Sequence, residues 1–224
     1  MVQQHCYSMT KEGGRTVARS SGLSDKLIEE HLHPLCYYHS SRKLQALRLP
    51  VEEFPRNLIV AHLPGGQIVF GQSVCTQEGF FCHQFISESM PVSLILPTLY
   101  HALFLTSTVW EELQELDGLP LMESELASVG PLPFDAAELE RLAEVLEVEG
   151  KARNRTCVIL PDQDWIRPVL MWLYNHLSEG AASTLGFSTY NRYPPESPLL
   201  RLVFLEKGHM HNCSDIFDVD KGAF

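Results

Sequence analysis

Cys157-Val158-Ile159-Leu160 is followed by Pro161-Asp162-Gln163-Asp164, then by a helix-patterned run to Leu177. Two further apolar stretches close the block, Leu185-Gly186-Phe187-Ser188-Thr189-Tyr190 and Leu199-Leu200-Arg201-Leu202-Val203-Phe204-Leu205. The first run is short and wholly apolar, as a strand buried on both faces must be. Ile166, Val169, Leu170, Leu173 and Leu177 then recur at helical spacing, with Pro168 tolerated near the first turn, where amides lack helical partners. Gly180 stops the helix, and Pro194, Pro195 and Pro198 mark a loop between the last two apolar runs. The block therefore reads strand, helix, strand, strand.

Working outward, Val2–Met9 reads as a first strand, and Gly13-Gly14 permits a tight turn after it. Ser24 is placed to cap a helix from Asp25 to about His33, with Pro34 beyond its end. Leu58–Leu63, the turn Pro64-Gly65-Gly66 and Gln67–Cys75 make the clearest hairpin, to which Phe80–Ile86 adds a strand. Ser89–Trp110 is uncharged and long enough to raise the question of a membrane span. Its two prolines, its polar residues and its acidic flanks favour a buried strand followed by a helix, with the helix from Leu99 to Leu116. Asp135 caps a further helix, in which Glu138 completes a capping box and Leu139, Leu142, Ala143 and Leu146 form the inner face. A meander followed by inserted helices predicts an α+β fold: a mixed, largely antiparallel sheet with helices packed on it around a single core. Residues 1–224 are expected to be one domain, with the 117–133 connector as the alternative boundary.

Residues 57–140 hold eleven acids and no Lys or Arg, a charge equal to the whole net charge of −11. Such a stretch repels phosphate backbones, so no nucleic-acid partner is expected. It forms either a solvated acidic face or a docking surface for a basic partner. The polar N-terminus lacks the apolar core of a secretion signal, and the six cysteines are scattered, so a cytoplasmic chain with mostly buried thiols is expected.

No P-loop is present. Gly150-Lys151-Ala152 lacks the hydroxyl and the upstream glycine, and no dinucleotide fingerprint or other cofactor motif occurs, so no cofactor is expected. His31, His33 and Cys36 form one cluster with metal-like spacing, and His209, His211 and Cys213 form another; surface histidines are the simpler reading of both. Cys82-His83 invites a thiol nucleophile, but neighbours on a strand point to opposite faces. Asp162 and Asp164 follow a strand and precede a helix, where two carboxylates could hold magnesium. Helix capping explains them more simply. Ser188-Thr189 lacks the setting of a nucleophile elbow.

Several motifs occur in order: Gln3-Gln4-His5-Cys6-Tyr7, Ala18-Arg19-Ser20-Ser21-Gly22-Leu23, Gly79-Phe80-Phe81-Cys82-His83-Gln84-Phe85-Ile86, and Val169–Leu177 running into Leu185–Tyr190. Together they resemble the N-terminal domain of bacterial GTPase-associated proteins of predicted conflict (defence) systems. The resemblance implies a non-enzymatic adaptor or regulator whose partner is a GTPase, and family members often carry further domains behind this one. It brings no catalytic residue, and His83 is the matched ionisable side chain to test first. The alternative is a small metal-dependent hydrolase built on Asp162, Asp164 and nearby histidines; a third reading is a cysteine hydrolase centred on Cys82.

Overall fold

A computed structural model describes residues 2–39, 46, 49–107, 112–117, 132, 135–148, 155–193, 195, 197–206 and 215–218. The strands are β1 (Gln3–Thr10), β2 (Gly13–Arg19), β3 (Asn57–His62), β4 (Ile68–Cys75), β5 (Phe80–Ser87), β6 (Gln114–Glu115), β7 (Thr156–Ile159), β8 (Phe187–Asn191), β9 (Leu202–Leu205) and β10 (Asp215–Asp218). The α-helices are α1 (Asp25–Leu27), α2 (Val92–His101), α3 (Ala136–Glu147), α4 (Ile166–His176) and α5 (Glu179–Ala182).

All ten strands join one sheet in the order β10-β7-β9-β8-β3-β4-β5-β1-β2-β6. The meander from β3 to β2 is antiparallel, as is the β3–β8 junction. The other half, β8-β9-β7-β10, is parallel. The fold is thus α+β with a mixed sheet, and the antiparallel pairings lead as expected. Three consequences of the opening block are visible: β7 is buried on both faces, α4 follows it, and β9 slots between β7 and β8.

Strand alternation divides the core into two layers. On one face Val60, Phe70, Phe85, Val158, Phe187 and Phe204 meet the inner sides of α2, α3 and α4. On the other, Ile59, Ala61, Val69, Cys157 and Val203 meet Ile28, Leu32 and Leu35. Asp135 Oδ1 accepts from the Ala137 amide at 3.1 Å, and Leu139, Leu142, Ala143 and Leu146 are buried as their spacing requires.

Three local expectations are corrected. The helix placed at Leu99–Leu116 lies at Val92–His101, and residues 102–107 are extended. Ile95, Leu96 and Leu99 form a helical stripe on the core, so the uncharged run is helical where a strand was expected. The single helix expected from Asp25 becomes a turn of α1, a π turn Ile28–Leu32 and a 3-10 turn His33–Leu35 that accommodates Pro34. Cys6, Cys36, Cys75 and Cys82 are free thiols, whereas Cys157 is disulfide-bonded. Most of the 117–133 connector lies outside the described residues.

Candidate functional site

Over β5, β1 and β2 the helix-bearing face of the sheet is covered by the described residues 102–107 and 112–117, a roof in two pieces. Phe104 packs on Phe85 and His83, with ring centroids 5.0 and 5.9 Å apart, while Leu116 packs on the cluster of Cys6, Val17, Ala18, Val74 and Phe81. His83, buried at the centre of β5, ties the two pieces of this roof together. The Leu105 amide donates to its Nδ1 at 2.9 Å, which fixes the proton on Nε2. Nε2 donates to Gln4 Oε1 at 3.1 Å, and Gln4 Nε2 donates in turn to the Asp117 carbonyl at 2.6 Å. Burial lowers the His83 pKa to about 4, with a smaller contribution from the charge on His5. His83 is therefore a neutral pin between residues 105 and 117, and both ring nitrogens are occupied.

A second chain runs across the opposite face. Gln84 Nε2 donates to the Leu32 carbonyl at 3.1 Å, leaving its Oε1 to accept from His5 Nδ1 at 2.8 Å. His5 Nε2 must then accept from Thr16 Oγ1 (2.9 Å), and Thr16 Oγ1 accepts from His33 Nε2 (2.9 Å). The chain stitches the turns at Leu32 and His33 to β1, β2 and β5. Burial lowers the His5 pKa to about 4.

Cys82 and His83 lie on opposite faces, as strand geometry demands. Cys82 is buried against Tyr7 and Cys36. Burial raises the Cys36 thiol well above its ordinary range, and it pushes Cys6 up to about 12. Cys36 Sγ donates to the Leu32 carbonyl at 3.3 Å. Buried, proton-retaining thiols are poor nucleophiles.

Asp162 and Asp164 are exposed beyond β7. Asp162 Oδ1 accepts from the Asp164 amide at 3.0 Å and caps the 3-10 turn Gln163–Trp165 that leads into α4. With His83 tied to Gln4 and Leu105, and His101 exposed at the end of α2, these four residues do not form one hydrogen-bonded group. His33 is engaged by Thr16 and Cys36 by Leu32, so the first metal-like cluster is divided between two structural bonds. His209, His211 and Cys213 lie outside the described residues. Among the described residues no three His, Cys, Asp or Glu side chains group so as to hold a metal ion, and no helix is long and apolar enough to cross a membrane.

Sequence reasoning missed the polar junction between the two halves of the sheet. Tyr37 Oη donates to Ser188 Oγ at 2.5 Å, and Ser188 Oγ donates to Asn57 Oδ1 at 2.7 Å. Thr189 Oγ1 accepts from the Leu58 amide at 2.8 Å, extending the short β3–β8 ladder with a side-chain rung. Ser188 and Thr189 are thus buried connectors. Arg155 anchors the β8–β9 connection by donating to the carbonyls of Ser197 (3.0 Å) and Leu200 (3.3 Å).

Two cavities flank these groups. The larger, about 740 Å³, lies between α2 and α4 and is lined chiefly by Pro91, Leu94, Pro97, Met171, Tyr174 and Asn175. The smaller, about 350 Å³, opens beside β6 and is lined by Gln3, Ser21, Gln67, Glu88, Glu115 and Asp117 among others.

Residues 1–119 match the family described as GTPase-associated protein 1, N-terminal domain type 2. Over half the chain is matched, and the chain belongs to this family. The matched span runs from β1 through β6 and contains both histidine chains; the motif at Val169–Tyr190 lies beyond it. No curated protein matches the chain.

Proposed function

We propose that this chain is a non-enzymatic interaction domain that associates with a GTPase in a bacterial conflict-type system, working as a single cytoplasmic unit. The family, named for association with a GTPase, carries the reading. The side chains that could have done chemistry support it: His5, His33 and His83 are engaged in structural hydrogen bonds, and the thiols of Cys6, Cys36 and Cys82 are buried. The sequence has no P-loop of its own, so nucleotide chemistry is left to the partner. A metal-dependent hydrolase would need Asp162 and Asp164 to share a site with a histidine, and Asp162 instead closes on a neighbouring amide.

The test is a pull-down of the purified chain against the GTPase encoded beside it. Retention at low salt is expected, and no retention there would overturn the reading.

A further inference from the structure

Leu103, Leu105 and Leu113 are 81%, 38% and 56% exposed, among the few large apolar side chains that face solvent. All three belong to the roof segment, which alternates along its first part: Phe104 turns inward onto Phe85 while Leu103 and Leu105 turn out. The same segment carries Glu112, Glu115 and Asp117, all exposed, and the last two line the 350 Å³ cavity together with Glu88. Among its described lining residues there is no Lys or Arg. Arg19, which stands opposite Glu115 in the β2–β6 register, is paired with Asp25. Outward leucines grouped on one segment mark an interaction surface, and the hydrated carboxylates on it give that surface its sign of charge.

We infer that the roof segment, with its described parts 102–107 and 112–117, is a docking surface for a basic amphipathic segment of a protein partner. The leucines would receive the apolar side of that segment, and Glu88, Glu115 and Asp117 would receive its Lys or Arg side chains. Charge complementarity selects this occupant: a neutral apolar segment leaves the carboxylates unpaired, and an acidic one is repelled. The hydrogen-bond chain from Leu105 through His83 and Gln4 to Asp117 sets the spacing between the apolar and acidic parts. His83 is thus a positioning residue, acting from beneath the surface. This inference rests on the interaction reading above and names its surface.

The test uses the full chain and a fluorescent amphipathic helical peptide of about 18 residues built from Leu and Lys, with a Leu/Glu peptide as control. The Leu/Lys peptide is expected to bind and to weaken with salt, and the control is expected not to bind. Leu103→Ser/Leu105→Ser and Glu88→Gln/Glu115→Gln should each weaken binding by about tenfold or more. Both sets change exposed side chains and leave the Leu105 amide on His83, so folding is retained, as circular dichroism would check. A matched pair on the other cavity, Leu94→Ser/Met171→Ser, should leave binding unchanged. Equal binding by all variants, or loss only in the Leu94/Met171 pair, would overturn the proposed surface. So would a wild-type dimer in analytical ultracentrifugation that Leu103→Ser/Leu105→Ser dissociates, because a second copy would then be the occupant. A separate arm asks whether the Leu/Lys peptide displaces the neighbouring-gene GTPase. Peptide binding at this surface without any GTPase binding would leave the surface standing and overturn the GTPase reading instead.

Discussion

His5 and His83 are held neutral on opposite faces of the sheet by the same physical cause. Each is buried, and each has its ring nitrogens in bonds that suit one neutral tautomer. Protonating His83 would place a hydrogen on Nδ1 against the Leu105 amide. Protonating His5 would do the same on Nε2 against the Thr16 hydroxyl, with His33 and Arg19 adding unfavourable charge. Both pKa values fall from 6.5 to about 4, so the unfolded chain binds more protons between those limits. Stability is therefore fully present above pH 6.5 and is lost as pH falls toward 4, by roughly 3 kcal/mol for each histidine. Urea midpoints measured from pH 7 to pH 4 should fall steeply, and His5→Gln should flatten part of that slope. A flat profile for the wild type would contradict the buried neutral assignment. At neutral pH, His83→Ala should cost about 1–3 kcal/mol through the stranded Leu105 amide and Gln4 carbonyl. It should also speed hydrogen exchange at the Leu105 amide.

The thiols give an independent check at this scale. Cys75 is only partly buried, whereas Cys6, Cys36 and Cys82 are enclosed. Iodoacetamide should modify Cys75 first in folded protein and reach the other three only on denaturation. Rapid alkylation of Cys82 would revive it as a nucleophile. His83 was legible in the sequence as a residue worth testing, but its partners were not. Gln4 reaches it through strand pairing, and Leu105 through a segment with no periodic signal.

Among the elements, those with a strong local signal were readable: the β3–β4 hairpin, α3 with its Asp135 cap, and α4 with its apolar stripe. Where tertiary context decides, sequence patterning fell short. The run Val92–Leu99 has no charges to reveal which face is solvated, and Pro97 argues against the helix that forms there. The order of the parallel strands has no local signature at all. At two glycines another element's backbone leaves no room for a side chain. A Cβ on Gly79 would come within 2.1 Å of the Met9 carbonyl oxygen, and one on Gly186 within 1.9 Å of that of Leu199. Both obstacles are backbone, which has little room to give. Gly186→Ala should destabilise by about 1–3 kcal/mol or more. Gly180→Ala, with open space around it in α5, should instead stabilise by up to about 1 kcal/mol. Thermal melts of the two variants should move in opposite directions.

For the whole molecule, the sheet is two different structures joined at a narrow seam. The family match covers the antiparallel half, and the parallel half is joined to it through two β3–β8 register pairs, the Tyr37–Ser188–Asn57 hydrogen bonds and the two core layers that both halves share. Acidic charge gathers in residues 57–140, so the surface offered to partners and the sheet's central strands arise from the same stretch. The sequence revealed that asymmetry of charge but could not show that residues 102–107 and 112–117 would cover the sheet with leucines outward.

That seam has a consequence in time. Ser188 is 131 residues beyond its partner Asn57. At about 5–20 residues per second, a ribosome takes on the order of ten seconds to supply β8 after β3 has been made. Throughout that interval the antiparallel half can assemble, yet the outer edge of β3 remains a row of unpaired amides and carbonyls open to any other strand. A fragment ending at residue 119 would hold that state permanently and should self-associate more strongly than the full chain on gel filtration. The parallel half, whatever else it does, is the cover that arrives last.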